Sequence, residues 1–293
     1  MSQSFPGGET VDFVSLPTEG AQGYTEKDAP ISATGIGIEN LSKAYEKNGA
    51  PLLVLDDTSI STSRGEFVTI LGPSGCGKST LFNIVAGLAQ PTGGDVYLHG
   101  ERVTGKTGAS SYMMQRDLLM PWRTVLDNVI LGLETTGVPR RQARLHAKEL
   151  LERFGLGSFV DSYPRELSGG MRQRAAFIRT LLFPRDVLLL DEPLGALDAQ
   201  TRLIMQEWLL QVWEEQRKTV LFITHDVEEA VFLSDKVYVM SARPGKIINE
   251  VAITLPRPRT METRVDPQFL SLRAELLNQI HQESLRAFEE TKS

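Results

Sequence analysis

Apolar and polar positions alternate along Ile36-Gly37-Ile38-Glu39-Asn40-Leu41, which predicts a half-buried strand. A turn at Lys47-Asn48-Gly49 follows, and β character continues from Val54 to Ser63. Glu66-Phe67-Val68-Thr69-Ile70-Leu71 is a short apolar run ending in a glycine-rich loop. Lys78 to Ala86 then suit a helix, stopped near Gly87 and Pro91. Asp95 to Leu98 and Ser110 to Met114 read as further strands. From 121 to 180 the pattern turns mostly helical: Ala143, Ala147, Leu150, Leu151 and Phe154 recur at helical spacing, and Gly155 and Gly157 mark an end. The continuous apolar runs Val187-Leu188-Leu189-Leu190 and Thr219-Val220-Leu221-Phe222-Ile223 predict strands buried on both faces, as in a parallel sheet. Val237 to Met240 and Ile247 to Ile253 add two more. Pro256, Pro258 and the arginines beside them form a linker to a last helix opening at Asp266-Pro267. Its stripe of Phe269, Leu272, Leu276 and Ile280, extended by Phe288, is expected to pack on the core, the alternative being a partner or regulatory surface. Residues 1–35 show no sustained apolar period and read as a mobile tail.

Composition narrows the function classes. The chain has 293 residues, 41% hydrophobic and 23% charged, enough for a sizeable core. Its net charge of -6 argues against broad nucleic-acid binding, so no nucleic-acid partner is expected. The single cysteine, Cys76, precludes an internal disulfide framework and fits a reducing compartment. No run of about 18 apolar residues occurs, and the N-terminus lacks the basic and apolar regions of a secretory signal, so a cytoplasmic protein is expected.

Gly72-Pro73-Ser74-Gly75-Cys76-Gly77-Lys78-Ser79-Thr80 matches G-x-x-x-x-G-K-[ST] between a predicted strand and a predicted helix. Glycines let backbone N–H groups approach phosphates closely, and the helix N-terminus offers unpaired donors to an anion. Lys78 is placed for the β/γ-phosphates and Ser79 for Mg²⁺. Cys76 reads as a small packed residue. In Val187-Leu188-Leu189-Leu190-Asp191-Glu192-Pro193, an apolar strand ends in two carboxylates. Asp191 is suited to hold Mg²⁺, and Glu192, pointing in another direction, to polarise an attacking water as general base.

Leu167-Ser168-Gly169-Gly170-Met171-Arg172-Gln173 resembles the LSGGQ signature of ABC ATPases, with Met171 in place of the usual Gln. Other motifs follow that family's order over about residues 36–250. Tyr45 resembles the aromatic that stacks on adenine, and Gln115 the Q-loop glutamine, a further Mg²⁺ contact. Gly195-Ala196-Leu197-Asp198 resembles the D-loop, and His225 the switch histidine that touches the γ-phosphate. The resemblance implies a P-loop NTPase (RecA-like) α/β core with a mainly parallel sheet, an antiparallel β subdomain and an inserted helical subdomain at about 116–180. The ATPase domain would span 36–255, with linker and helix over 256–293. It also implies ATP and Mg²⁺ as ligands, and a head-to-tail dimer with a second copy or a homologous ATPase subunit. In that dimer, Ser168, Gly169, Gly170 and Asp198 of one subunit would complete the site of the other.

Gly195, Met171, the stretch Met120-Pro121-Trp122-Arg123-Thr124-Val125 and the segment Leu255-Pro256-Arg257-Pro258-Arg259 resemble the nitrate/sulfonate/taurine branch of importer ATPases. That branch implies transmembrane permease subunits, gripped by a groove including Trp122 (core burial of that ring being the alternative), and an extracytoplasmic solute-binding protein. It places the chain peripherally on the cytoplasmic face of the membrane. A chromosome or repair ATPase would split the motifs with a long coiled coil, a translation factor would carry two motif sets, and a non-hydrolysing scaffold would lack the catalytic groups. A cytosolic non-transport ABC ATPase is the alternative.

Overall fold

The computed structural model describes residues 34–290. The expectation of a mobile tail over 1–35 therefore lies outside the described residues, except at Thr34 and Gly35, which belong to the first strand. In chain order the first half runs β1 (Thr34–Lys47), β2 (Ala50–Ser63), β3 (Phe67–Leu71), α1 (Lys78–Val85), β4 (Gly93–Leu98), β5 (Glu101–Arg102) and β6 (Ser111–Met113). Four helices follow: α2 (Val125–Val129), α3 (Leu131–Thr135), α4 (Arg140–Arg153) and α5 (Gly169–Leu182). The second half runs β7 (Val187–Asp191), α6 (Ala199–Gln216), β8 (Thr219–Thr224), α7 (Val227–Leu233), β9 (Lys236–Met240), β10 (Ile247–Ala252) and α8 (Pro267–Glu290).

Two sheets result. One is antiparallel, in the order β2-β1-β4-β5; the other has the order β10-β9-β3-β8-β7-β6. In the second, β9, β3, β8, β7 and β6 are mutually parallel, and only the edge strand β10 is antiparallel. The strands read as continuous apolar runs are the central ones: every residue of β3, β7 and β8 is buried. Helices on both faces demand that pattern. Asn48 and Gly49 both take positive φ in the β1–β2 turn, as the expected hairpin turn requires. On one side of the parallel sheet, Phe67 packs at 5.9 Å edge-on to Trp213 of α6 and at 5.7 Å from Phe222 of β8. Burying each such ring contributes roughly 1.5–3 kcal/mol.

Two helices come in addition to the expected elements, and two expectations are refined. Helices α6 and α7 carry little periodic signal, because apolar residues surround α6 (Ile204 is 46% exposed) and α7 has only seven residues. On α8, Phe269 and Leu276 are buried and Leu272 and Ile280 pack partly, but Phe288 is 62% exposed. At 3.6 residues per turn, eight residues past Ile280 the helix has turned about 80° off the stripe. The linker is not a loose tether. Arg259 is buried and donates to the carbonyls of Val231, Phe232 and Ser234 at the end of α7. Arg257 pairs with Asp235 at 2.8 Å.

Candidate functional site

The glycine-rich loop connects the buried β3 to α1 at the C-terminal end of the parallel strands, where open α/β sheets place ligand sites. Gly77, the N-cap of α1, has φ 115, and a Cβ there would lie 2.9 Å from Leu55 Cδ2 and 3.1 Å from the Val54 carbonyl. Only glycine fits that turn. The first backbone bond of α1 is donated by Leu81 to Gly77, at 2.9 Å. The N–H groups of Lys78, Ser79 and Thr80 precede it and are free of intrahelical acceptors, which suits an anion. The buried Lys78 ammonium spans the loop, donating to the carbonyls of Gly72 at 2.8 Å and Pro73 at 2.9 Å. Gly72 and Pro73 are buried, while Ser74 and Gly75 form the exposed rim. Cys76 is buried, and burial pushes its thiol up, so it is a packed residue without thiolate character.

Asp191 ends β7 in a buried position. Burial raises its carboxyl above the usual range, opposed chiefly by a hydrogen bond with Ser79 and by the Lys78 charge, while Glu192 adds to the rise. The Tyr112 hydroxyl stands 3.5 Å from Asp191 Oδ2. A buried carboxylate and a hydroxyl are the hard oxygen donors that Mg²⁺ takes, with phosphate oxygens completing the shell, so the residues fit that ion. Among the described residues no cluster of three His, Cys, Asp or Glu could hold a metal instead.

Glu192 has φ 48, a left-handed conformation rare outside glycine. That turn separates its carboxylate from Asp191 and brings it between two other predicted residues. Gln115 Nε2 donates to Glu192 Oε2 at 3.1 Å, and His225 Nδ1 lies 3.5 Å from Oε1. Several bonds hold the strained backbone. Glu192 N donates to Ile223 O at 2.9 Å, and Glu192 O accepts from Gly195 N at 3.2 Å. Gln173, a buried residue of α5, donates from Nε2 to Glu192 O at 3.1 Å and accepts from Ala196 N at 3.0 Å. His225 follows β8, where Thr224 donates to the buried Glu229 at 2.6 Å and accepts from Asp226 N at 3.0 Å.

Lys78, Ser79, Asp191, Glu192, Gln115 and His225 are thus gathered into one site. Tyr45, Ser168, Gly169, Gly170 and Asp198 make their contacts elsewhere. Ser168 caps α5 by accepting from Met171 N at 3.3 Å, and Gly169 and Gly170 open that helix. A Cβ at Gly170 would lie 3.1 Å from Leu197, so the signature packs beside the 195–198 segment. Asp198 caps α6, accepting from Thr201 N at 3.0 Å, and hydrogen bonding from the Thr201 hydroxyl, with that N–H, holds its carboxyl below the usual range. Tyr45 is 41% exposed, with Lys43 Nζ 4.7 Å above its ring.

Tyr112 carries no motif signal of its own, and Gln173, although it ends the signature segment, is assigned no role there. A further clue to Gln173 is its polarity on the core face of a helix lined there mainly by Ala, Phe, Ile and Leu, with Thr180. Trp122 is 72% exposed and its loop is fixed from beneath. The fully buried Asn128 accepts from Met120 N at 2.7 Å and donates to the carbonyls of Met120, Arg123 and Thr124 at 3.0–3.1 Å. Beside the helices, a cleft of about 220 Å³ is lined by Leu88, Tyr112, Met114, Leu118 and Arg179, among others.

Residues 55–195 match the family model described as ABC transporter. An uncharacterised ABC transporter ATP-binding protein of Methanocaldococcus jannaschii is 47% identical over 85% of this chain and 92% of its own length. An aliphatic sulfonates import ATP-binding protein of Bacillus cereus is 40% identical over 85% of this chain and 97% of its own. A solved dimeric structure of a bacterial ABC transporter cassette superposes with a TM-score of 0.70 at 30% identity, covering 75% of this chain and all of that one. A dimeric post-hydrolysis state of an ATP-binding cassette bound to ADP and Pi gives a TM-score of 0.66, also at 30% identity. With the phosphate loop, the paired carboxylates and these likenesses in place, the chain belongs to the ABC transporter ATP-binding proteins and is an ATPase.

Proposed function

We propose that this chain powers a membrane importer for a small solute of the nitrate, sulfonate, taurine or bicarbonate kind, working as an ATP-sandwich dimer. The observation that carries the hydrolytic part is the placement of Glu192 between Gln115 and His225, next to the buried Asp191 and the phosphate loop. In this reading the loop from Gly72 to Thr80 cradles the phosphates. The Lys78 ammonium leaves its two loop carbonyls and donates to the β/γ-phosphate oxygens. Ser79, Asp191 and Gln115 hold Mg²⁺, which when bound neutralises phosphate charge. Glu192 orients and deprotonates the attacking water, and His225 stabilises charge on the transferring phosphoryl group. Tyr45 stacks on adenine.

Ser168, Gly169, Gly170 and Asp198 serve the nucleotide of a partner subunit, a second copy or a homologous ATPase. Two findings support this. Both segments open helices, at α5 and α6, and both solved neighbours are dimeric. The ATPase domain takes residues 36–255 with its helical subdomain at about 116–180, and 256–293 is an appended segment.

The importer reading rests on the sulfonate-import relative and on Trp122, an exposed aromatic on a loop pinned by Asn128. A preorganised exposed Trp is a natural anchor for a partner helix, here that of a transmembrane permease. An extracytoplasmic solute-binding protein completes the assembly. In this reading the permease subunits span the membrane and this chain is peripheral on its cytoplasmic face; among the described residues no helix is long and apolar enough to cross a membrane.

Glu192→Gln tests both halves. The variant is expected to bind ATP, to stall in hydrolysis and to accumulate as a dimer. Purified with ATP and detergent from its native cells, it is expected to bring a polytopic membrane protein in stoichiometric yield. Wild-type turnover would remove Glu192 as the base. A soluble dimer with no membrane partner would favour a cytosolic non-transport ABC ATPase.

A further inference from the structure

The segment between β9 and β10 reaches the phosphate loop from outside. It is closed on itself: Ser241 N donates to Lys246 O at 2.9 Å, and Lys246 N donates to Ser241 Oγ at 3.0 Å. Gly245 seats it against β2. Gly245 N donates to Val54 O at 2.8 Å, and Gly245 O accepts from Asp56 N at 3.1 Å and from Thr58 Oγ1 at 3.0 Å. A Cβ at Gly245 would fall 2.4 Å from the Cys76 carbonyl, so the two loops are in direct contact.

From this seat Arg243 extends its guanidinium to the rim of the phosphate loop. Its Nε and Nη2 both donate to the Gly75 carbonyl, at 3.2 and 2.9 Å. On the other side of the same segment stands Glu283 of α8, 3% exposed. Its carboxylate accepts from Ala242 N at 3.0 Å and from Arg286 Nη1 at 2.6 Å. A continuous path of bonds therefore runs from the C-terminal helix through Ala242 and Arg243 to Gly75.

We propose that Arg243 is a positioning residue for the phosphate loop and that α8 sets it through Glu283, so that the C-terminal helix tunes ATP affinity. Gly75 has φ 77, and glycine by itself holds no one conformation. A forked donor that fixes the Gly75 carbonyl outward also fixes the plane of the Gly75–Cys76 peptide, and hence the direction of the Cys76 N–H. The loop is then ordered before nucleotide arrives, and less conformational entropy is lost on binding. A permanent positive charge beside the loop adds to the field felt by phosphates. Glu283 is a buried carboxylate whose retention is otherwise costly, and its bond to Ala242 N gives it a task.

The inference rests on the loop being the nucleotide site, and Lys78→Ala separates the two. The full chain is used, with ATP affinity read by calorimetry and KM and kcat by phosphate release. Arg243→Ala is expected to raise Kd and KM about 3- to 10-fold, the scale of one charge-assisted hydrogen bond at an exposed site, with kcat within about twofold of wild type. Arg243→Lys should recover part of the affinity through one donor. Glu283→Ala should raise KM as Arg243→Ala does, and Glu283→Gln, which keeps an acceptor oxygen, should hold KM near wild type. Glu275→Ala, on the exposed face of the same helix, should move neither. Unchanged Kd and KM in Arg243→Ala, with binding lost in Lys78→Ala, overturns the proposal and leaves the site intact. Wild-type ATP binding in Lys78→Ala overturns the site reading itself. A lowered Tm in Glu283→Ala with wild-type KM overturns the role of α8.

Discussion

Gln173→Ala removes the side chain that ties the signature helix to the loop after β7. Two bonds are lost, one to Glu192 O at 3.1 Å and one from Ala196 N at 3.0 Å. Glu192 O keeps a bond from Gly195 N at 3.2 Å, so that acceptor stays partnered. Ala196 N loses its acceptor, but Ala196 is exposed and water can take that place, so each of the two bonds is worth about 0.5–1.5 kcal/mol. The sum is about 1–3 kcal/mol, or about 2–12 °C in Tm for a domain of this size. The larger effect is on chemistry. Glu192 sits at φ 48, a conformation costing on the order of 1–3 kcal/mol that persists only while its surroundings over-determine it. Without Gln173 the loop relaxes and the carboxylate leaves the positions that Gln115 and His225 define. ATPase kcat should fall about 10- to 100-fold, since misplacement of about 1 Å can cost 100-fold, while KM stays near wild type because Gln173 touches no part of the phosphate loop. Gln173→Glu keeps an acceptor for Ala196 N but sets a buried carboxylate oxygen against the Glu192 carbonyl, so both kcat and Tm should fall. Steady-state ATPase kinetics and thermal melts check both. A folded Gln173→Ala protein with wild-type kcat would refute the claim that this clamp positions Glu192.

Three further outcomes follow from other parts of the fold. Gly77→Ala forces a Cβ to 3.1 Å from the Val54 carbonyl at φ 115, so nucleotide binding should be lost and stability should drop by roughly 1–3 kcal/mol; wild-type Kd would contradict the geometry. Asn128→Ala strips four bonds from the loop carrying Trp122 and should destabilise the protein by about 2–4 kcal/mol; Trp122→Ala should leave stability within about 0.5 kcal/mol but weaken co-purification with the membrane partner. Burial lowers the Lys218 ammonium to about 8, where it donates to the carbonyls of Leu181 and Phe183. The unfolded chain keeps that proton up to about 10.4, so it binds more protons than the folded protein between these values, and this group makes stability rise with pH across them. The Tm gap between wild type and Lys218→Met should therefore shift toward the wild type from pH 8 to 10, and a constant gap would exclude the effect.

Two kinds of information divide this protein. Local sequence determined what depends on neighbouring residues. The apolar runs of β3, β7 and β8 could only be interior strands, and the glycines and Lys78 between β3 and α1 could only be a phosphate loop in that context. The pairing of Asp191 with Glu192 was equally legible, because a strand end fixes both side chains by their order. What depends on distant segments meeting was not. Helix α6 escapes periodicity because its surroundings, not its own pattern, decide which residues are buried. Phe288 is apolar but falls off the stripe by helical spacing and is exposed, while Glu283 continues that spacing and is buried although it carries a charge. The position of Glu192 between Gln115 and His225, 77 and 33 residues away along the chain, follows from the parallel order of β6, β7 and β8 and from one left-handed residue. The contact of Arg243 with Gly75 spans 168 residues. Periodicity records only each residue's own exposure, whereas such contacts are fixed by how the strands cross over. That is why the chemistry could be named from the chain but the groups that hold it in place appeared only in the fold.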